Sequence, residues 1–477
     1  MNSLLLTLAL LFGLGVSLFI PTYGPSAVLV GVLCAVVAGS IIYQTGGEHR
    51  QFLVSLFIIA LLVRMSLGTL IFSFNLQSFF GGDALTYDEF GFSLLQVWQG
   101  NSEYMSNPDI WFSGGGWGML YGVAIVYAAI GRNLLAIQYI NCVFGAATAP
   151  LAFHCARHIF QNLRVARITI YLVAFFPSLV LWSSQGLKDG PIVFLLALSM
   201  VATLKLGERL TVKHLVALLI ALLGLLSLRF YVFYMAIAAV GGAFLIGMRQ
   251  ITSQSLIRQF LIILAIGLTM TYLGVLRRAG DQLEAYGNLE RVQRSRADLA
   301  TAQSGFAKDV DVSTTSGALA AIPIGATYLL FAPFPWELAN LRQSLTLPEM
   351  LVWWASFPLL VTGMWFTLRY RMRQAMPILI FTTMLTLAYS IFQGNVGTAY
   401  RQRSQLLVFY FIFVSVGAVL LKERREERER LLRLEKEESL RAAQERKARR
   451  RYGQWRLERE REWGDIARGL SEKMDNR

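Results

Sequence analysis

Charged residues are scarce in this chain of 477 residues: they make up 16% of it, whereas soluble domains carry roughly 25%. Hydrophobic residues account for 55% of the chain. They form many runs of about 18 residues, which is enough to cross a bilayer core of roughly 30 Å. The composition excludes an ordinary soluble domain. It predicts an all-α polytopic membrane protein with about twelve transmembrane helices and additional re-entrant or interfacial helices.

Cysteine is also scarce. Cys34, Cys142 and Cys155 lie in or beside apolar runs. Because their number is odd and they share no metal-ligand spacing, neither a disulfide framework nor a zinc site is predicted. The formal net charge is +14, but the basic residues stand mainly at the ends of apolar runs and in the C-terminal tail. Orientation in a membrane accounts for that distribution, so nucleic acid is not predicted as a partner.

Twelve apolar runs are predicted to cross the membrane. They begin near Ser3, Ser26, Phe52, Leu135, Ile168, Pro191, Val212, Phe230, Phe260, Met350, Ala375 and Gln405. The first run lacks a basic segment before it and a small-residue cleavage site after it. We therefore predict a retained span there and not a signal peptide.

Lysine and arginine in short connections orient these spans. Six basic connections fall on one side if two further apolar stretches, Trp117–Ile130 and residues 318–335, do not cross. The first stretch is short and the second contains three prolines, so both are predicted to lie at the surface or to re-enter. The prediction is an integral protein of the bacterial inner membrane with cytoplasmic N- and C-termini. All four histidines then fall on the inner side.

The chain is divided into three predicted parts: two N-terminal spans (residues 1–50), a transmembrane module (51–421) and a charged helical tail (422–477). In the tail, Glu426 and Arg430 stand four residues apart, in the favourable orientation for a helix. Its leucines are too sparse for a heptad seam. The tail is either a solvated or membrane-skimming helix or a docking helix for a cytoplasmic partner.

An acidic segment follows the third span directly. It contains Asp83, Asp88 and Glu89 and lies on the predicted outer side. One interpretation is a polar helix start, with Asp83 as its N-cap. The other is a catalytic base: because this side has no histidine, a carboxylate is the natural proton acceptor. Carboxylates here could also hold a divalent ion such as Mg²⁺ or Mn²⁺ against phosphate oxygens, with Asp83 and Asp189 as the predicted ligands.

Two further groups of charges fall on the same side. Lys188 and Asp189 join two spans with almost no loop, either as a tight hairpin or with Lys188 against a phosphate. The positive-inside rule disfavours arginine on the outer side of a membrane. The presence of Arg229, Arg401 and Arg403 there therefore needs a specific reason. They either anchor to lipid headgroups or bind phosphate through their guanidinium groups.

Arg64 lies in the middle of the third predicted span. A charge at that depth costs several kcal/mol unless it is paired or hydrated. The sequence does not name its partner, and a purely structural pairing inside the bundle is one interpretation.

The arrangement resembles the GT-C superfamily of membrane glycosyltransferases, and within it the protein-O-mannosyltransferase and lipid A aminoarabinose transferase group. The likeness covers roughly residues 52–421. It lies in the acidic first outer loop with Asp83, Asp88 and Glu89, the membrane-lying stretch of residues 116–132 and the proline-containing span that ends at Asp189. It implies inverting transfer of a sugar from a polyprenyl phosphate to a glycan, lipid or protein acceptor. Asp83 would act as base, and arginine, with or without a divalent ion, would hold the leaving phosphate.

Three alternatives remain at this stage. A polysaccharide polymerase or ligase acting on polyprenyl-pyrophosphate-linked glycans would depend on Arg229, Arg401 and Arg403 more than on Asp83. A transporter of the same lipids predicts charges throughout the midplane and repeated halves, whereas only Arg64 is clearly mid-membrane. A membrane scaffold would act through residues 422–477.

Overall fold

The computed structural model describes residues 3–106, 116–246, 253–272, 274–275 and 288–475. These residues form α-helices without strands, as the composition predicts, and the chain is an all-α polytopic membrane protein. The helices are α1 Ser3–Phe19, α2 Gly24–Thr45, α3 Arg50–Ser73, α4 Gln77–Phe80, α5 Asp83–Trp98, α6 Trp117–Ile130, α7 Leu134–Phe160, α8 Leu163–Phe175, α9 Pro177–Ser183, α10 Asp189–Glu208, α11 Val212–Leu228, α12 Phe230–Ile246, α13 Ser253–Tyr272, α14 Leu289–Thr301, α15 Thr315–Phe331, α16 Leu341–Phe366, α17 Met372–Phe392 and α18 Val396–Asp475.

Within the described residues, six helical stretches are long and apolar enough to cross a membrane, or seven if the bent pair α8–α9 is one span. The stretch Leu341–Phe392 holds two of the predicted spans, which meet at a π-helical turn over Thr367–Arg371. Four predicted spans correspond to shorter apolar stretches of 10–17 residues: Ser3–Phe19, Val212–Leu228, Phe230–Leu245 and Ile257–Tyr272. The two stretches predicted not to cross, α6 and α15, belong to the same shorter class.

The chain divides into two compact units, Met1–Gly417 and Ala418–Arg477. The second unit is helical, and its residues 421–463 are exposed. Ion pairs four residues apart run along it, including Arg425–Glu429 and Arg456–Glu460. Such pairs support a solvated helix by a few tenths of a kcal/mol each.

Helix α7 lies at the centre of the first unit and packs against α2, α3, α8 and α10. Small residues permit this close packing, because lipid provides no hydrophobic drive between helices and backbones must approach for van der Waals contact. Those on its buried faces include Gly145, Ala146, Ala149, Ala152 and Ala156.

The bend between α8 and α9 is caused by Pro177, which cannot donate a backbone hydrogen bond and begins the second helix. The break exposes carbonyls at the end of α8, and Arg64 of α3 satisfies them. Its Nη1 donates to Ala174 O at 2.7 Å, and its Nη2 donates to Val173 O at 3.4 Å. Nε donates to Ser183 Oγ at 2.9 Å. Arg64 therefore binds both halves of the broken helix.

Candidate active site

Asp189 is the centre of a cluster of charges from distant segments. Its side chain is fully buried, at the first position of α10, where the helix dipole favours a negative charge. Arg401 contacts Oδ2 of Asp189 through Nε at 2.7 Å and through Nη2 at 2.6 Å. Arg229, between α11 and α12, places Nη2 at 3.5 Å from Oδ1. Asp189 thus fixes the orientation of two guanidinium groups.

Asp83 forms the accessible edge of the same cluster. Nη1 of Arg401 donates to Asp83 Oδ2 at 2.6 Å, so one guanidinium joins the first turns of α5 and α10. The Asp83 side chain is 53% exposed, whereas that of Arg401 is 15% exposed. A carboxylate in this position can meet an incoming hydroxyl group while Arg401 holds it in place.

Lys188 adds a third cation beside Asp189. Burial, together with the neighbouring Arg229, lowers the pKa of this amine to about 8. Gly116 lies against it: a Cβ at that position would lie 3.0 Å from Lys188 Nζ, and the φ of +90° also disfavours any side chain. Glycine at this position therefore leaves room for the ammonium group.

Tyr87 faces the same cluster, four residues after Asp83 on α5. Nζ of Lys188 lies 5.7 Å from the centre of its ring. Burial and the nearby charges of Asp83 and Asp189 raise the pKa of Tyr87 to about 12, so its hydroxyl group stays protonated at neutral pH. Sequence reasoning missed this residue, although the spacing of four predicts a shared helix face.

The short connection before Lys188 is held from inside the bundle. Nδ2 of Asn141, on α7, donates to the backbone carbonyls of Gln185 at 2.7 Å and Leu187 at 2.6 Å. At its start, Ser183 is held by Arg64. The buried polar residues of α3 and α7 therefore determine where Lys188 and Asp189 lie.

Asp88 does not join the cluster. Five residues after Asp83 on a helix, it points in a different direction. It accepts hydrogen bonds from Tyr127 at 2.5 Å and from Nη2 of Arg132 at 2.5 Å. These contacts link α5 to α6 and to the connection between α6 and α7. Glu89 is exposed on α5. Of the three predicted catalytic carboxylates, the structure brings only Asp83 to the cluster.

Arg403 also lies elsewhere. Two residues along a helix correspond to a rotation of about 200°, so Arg401 and Arg403 face nearly opposite sides of α18. Arg403 is buried, donates to Leu330 O at 2.8 Å and lies 4.9 Å from the ring centre of Tyr400. Of the four residues predicted to bind phosphate, Lys188, Arg229 and Arg401 therefore lie at this site and Arg403 does not.

The predicted metal ligands, Asp83 and Asp189, do not fit a divalent cation. Both carboxylates contact the same guanidinium group, that of Arg401, in the position where a bridging ion would lie. Lys188 and Arg229 add two more positive charges around Asp189. Within the described residues, no group of three or more metal-ligating side chains occurs. Three cations and two carboxylates instead favour an anionic ligand.

Comparison with known proteins gives a weak similarity to a solved structure. No protein-family model matches the chain, and no curated protein matches it significantly. The chain is similar to the crystal structure of the Archaeoglobus fulgidus oligosaccharyltransferase in its apo form, at 14% identity and a TM-score of 0.44. The match covers 81% of this chain, which spans about half of that enzyme, 52% of its length. At this level of similarity, any function has to be inferred from the side chains of the cluster.

Proposed function

We propose that this protein is a membrane glycosyltransferase that moves a sugar from a polyprenyl-phosphate donor to an acceptor hydroxyl group at the outer face of the membrane. The observation that carries the proposal is the convergence of Lys188, Arg229 and Arg401 around buried Asp189, beside half-exposed Asp83. The cluster combines cations for a phosphate with a carboxylate that can accept a proton.

The donor phosphate is assigned to the three cations. Guanidinium groups hold phosphate oxygens through paired hydrogen bonds, and Lys188 supplies a compact charge. Within the described part of the chain, the buried Nη1 of Arg229 has no hydrogen-bond partner. A phosphate oxygen is a suitable acceptor for that donor, because an unpaired buried N–H is costly.

The reaction follows from these positions. Asp83 accepts the proton of the acceptor hydroxyl, whose oxygen then forms a bond to the anomeric carbon of the sugar. The bond between that carbon and the phosphate oxygen breaks, and its electrons leave with the polyprenyl phosphate. Lys188, Arg229 and Arg401 stabilise the negative charge that develops on the leaving phosphate. Attack from the side opposite the phosphate inverts the anomeric configuration.

The contact between Asp83 and Arg401 has a part in this proposal. While Arg401 donates to Asp83, its Nη1 occupies Oδ2 of the carboxylate. A donor phosphate that takes up hydrogen bonds from Arg401 weakens this contact. Oδ2 of Asp83 is then free to accept the proton of the acceptor hydroxyl, which couples donor binding to activation of the acceptor.

The alternatives have less support from these contacts. The polymerase or ligase hypothesis relied on Arg403 as a third outward arginine, but Arg403 contacts Leu330 O inside the bundle. The transporter hypothesis relied on charge at the midplane, and Arg64 is instead satisfied by carbonyls of a broken helix. A scaffold acting through residues 422–477 requires none of the buried charges around Asp189.

The test is complementation of a null strain of the source organism, followed by analysis of its glycans. Asp83→Asn, Arg229→Ala and Arg401→Ala should each abolish the product while the protein is still found in the membrane. Asp298→Asn and Arg294→Ala are matched controls, because both positions are exposed on α14 and carry the same charges. They should complement fully.

The outcomes separate the hypotheses. Normal glycan with Asp83→Asn would exclude Asp83 as base and thereby the mechanism. Loss with the arginine variants alone would favour the polymerase or ligase. Loss only when residues 422–477 are deleted would favour the scaffold.

A further inference from the structure

An apolar groove lies between α1, α2 and α3, apart from the charged cluster. Its volume is about 510 Å³. Aliphatic and aromatic side chains form most of its surface, among them Phe12, Val36, Phe57 and Leu61. It shares no residue with the cluster around Asp189, so it lies outside the proposed transferase site.

The groove is open to its surroundings. Three residues that line it are well exposed: Leu6 at 46%, Val36 at 61% and Tyr43 at 47%. Because α2 and α3 are candidate membrane spans, these surroundings are lipid hydrocarbon. Water is disfavoured in a space with apolar walls, since it needs polar partners. Hydrocarbon is therefore the chemically suitable occupant.

The dimensions fit one chain of a lipid. Helix α3 lines the groove from Val54 to Met65, which is about 16 Å of helix at 1.5 Å per residue. One leaflet of the hydrocarbon core is about 15 Å thick, half of the full core. The groove therefore accommodates a chain that enters from one leaflet and ends near the middle of the membrane.

One end of the groove is polar. Ser40, Tyr43 and Gln44, near the end of α2, line it there. Arg50, the first residue of α3, is exposed, and its guanidinium carbon lies 4.8 Å from the centre of the Tyr43 ring. Arginine at the mouth of an apolar groove is suited to the phosphate of a lipid headgroup.

We infer that the groove binds a membrane phospholipid, with one acyl chain between α1, α2 and α3 and its phosphate beside Arg50. The bound lipid fills space that the side chains of α1 leave open against α2 and α3. It thereby contributes to the packing of α1 on the rest of the bundle.

The test uses the full-length protein purified in a mild detergent. The purified protein is washed with detergent that contains no phospholipid. The phospholipids that remain bound are then extracted, and mass spectrometry gives the number of phospholipid molecules per protein molecule. Gly39→Phe should remove the bound lipid. A Cβ at Gly39 would lie 3.8 Å from Phe57, an ordinary contact, so the ring can enter the groove without displacing backbone. Gly15→Phe is the control, because nothing lies within 4 Å of a Cβ at that position of α1.

The expected result is retained phospholipid in the wild type and in Gly15→Phe, and its loss in Gly39→Phe. Arg50→Gln should lower retention and Arg50→Lys should restore it, which separates a phosphate contact from simple filling by hydrocarbon. A wild-type protein free of phospholipid, or equal retention in both phenylalanine variants, would overturn the inference. Neither result depends on whether the protein transfers a sugar.

Discussion

Arg401 and Asp189 are separated by 212 positions in the sequence, yet Nε and Nη2 of the arginine lie 2.7 and 2.6 Å from Oδ2 of the aspartate. Asp189 is fully buried, and a carboxylate at that depth would be very costly without a charged partner. The pair therefore joins the start of α18 to the start of α10, and each side chain depends on the other.

The first prediction concerns the contribution of Asp189 and its arginine partners to stability. Asp189→Asn leaves the guanidinium groups of Arg229 and Arg401 buried without their shared counter-ion. Breaking a buried ion pair by removing one partner costs about 3–5 kcal/mol, and we expect the free energy of unfolding to fall by that order. Chemical unfolding in detergent measures it. Asp298→Asn replaces an exposed aspartate and should leave the free energy of unfolding unchanged. An equal free energy of unfolding for the two variants would show that Asp189 does not stabilise the fold through its ion pairs.

The second prediction concerns pH. Burial and Arg229 lower the pKa of Lys188 to about 8, so the ammonium form is present at pH 7 and is lost as the pH rises through about 8. Affinity for a phosphate anion should fall over that range. Titration with farnesyl phosphate at pH 7 and pH 9 measures it.

Lys188→Arg is the control for this pH dependence. An arginine keeps its charge at both pH values, so any remaining change in affinity comes from the ligand. A wild-type pH dependence identical to that of Lys188→Arg would show that Lys188 does not bind the phosphate.

The third prediction separates two neighbouring arginines. Arg401→Gln should abolish binding of farnesyl phosphate, because Arg401 contacts both Asp83 and Asp189 in the cluster. Arg403→Gln should lower the free energy of unfolding but leave the affinity of the folded protein unchanged, because Arg403 donates to Leu330 O. Isothermal titration of both variants measures the difference. A weaker affinity with Arg403→Gln would restore Arg403 to the phosphate-binding set.

The fourth prediction concerns Arg64. Arg64→Met leaves the carbonyls of Val173 and Ala174 without this donor. Hydrogen bonds between membrane helices average about 0.6 kcal/mol, so loss of these contacts should destabilise the protein by about 2 kcal/mol. Of the contacts of Arg64, Ser183→Ala removes only the one from Nε, so it should cost less. Increased stability with Arg64→Met would mean that the free-energy cost of burying the charge exceeds the stabilisation from its hydrogen bonds.

Much of the fold could be predicted because apolar runs and prolines act locally. The all-α class follows from the runs, and the break before α9 follows from Pro177. Orientation of the spans predicted a common side for Asp83, Lys188, Arg229 and Arg401, and the structure brings these four residues together.

The remaining details depend on which helices are neighbours, and composition and charge patterns do not determine that. Asp88 was grouped with Asp83 by its place in the sequence, but Arg132 and Tyr127 bind it. Arg403 was grouped with Arg401, although helical rotation separates them. The partners of Arg64 were not predictable, because they are backbone carbonyls exposed by a break in another helix.

The hydrogen bonds of Arg64 also have a consequence for biosynthesis. The carbonyl of Ala174 lies 110 residues after Arg64 in the chain, so α3 leaves the ribosome long before this partner exists, when only the Ala60 carbonyl of its own helix is within reach. Until then the guanidinium group requires water or lipid phosphate, because an unpaired charge in hydrocarbon is costly. We therefore expect α3 to reach its final position only after α8 has entered the membrane.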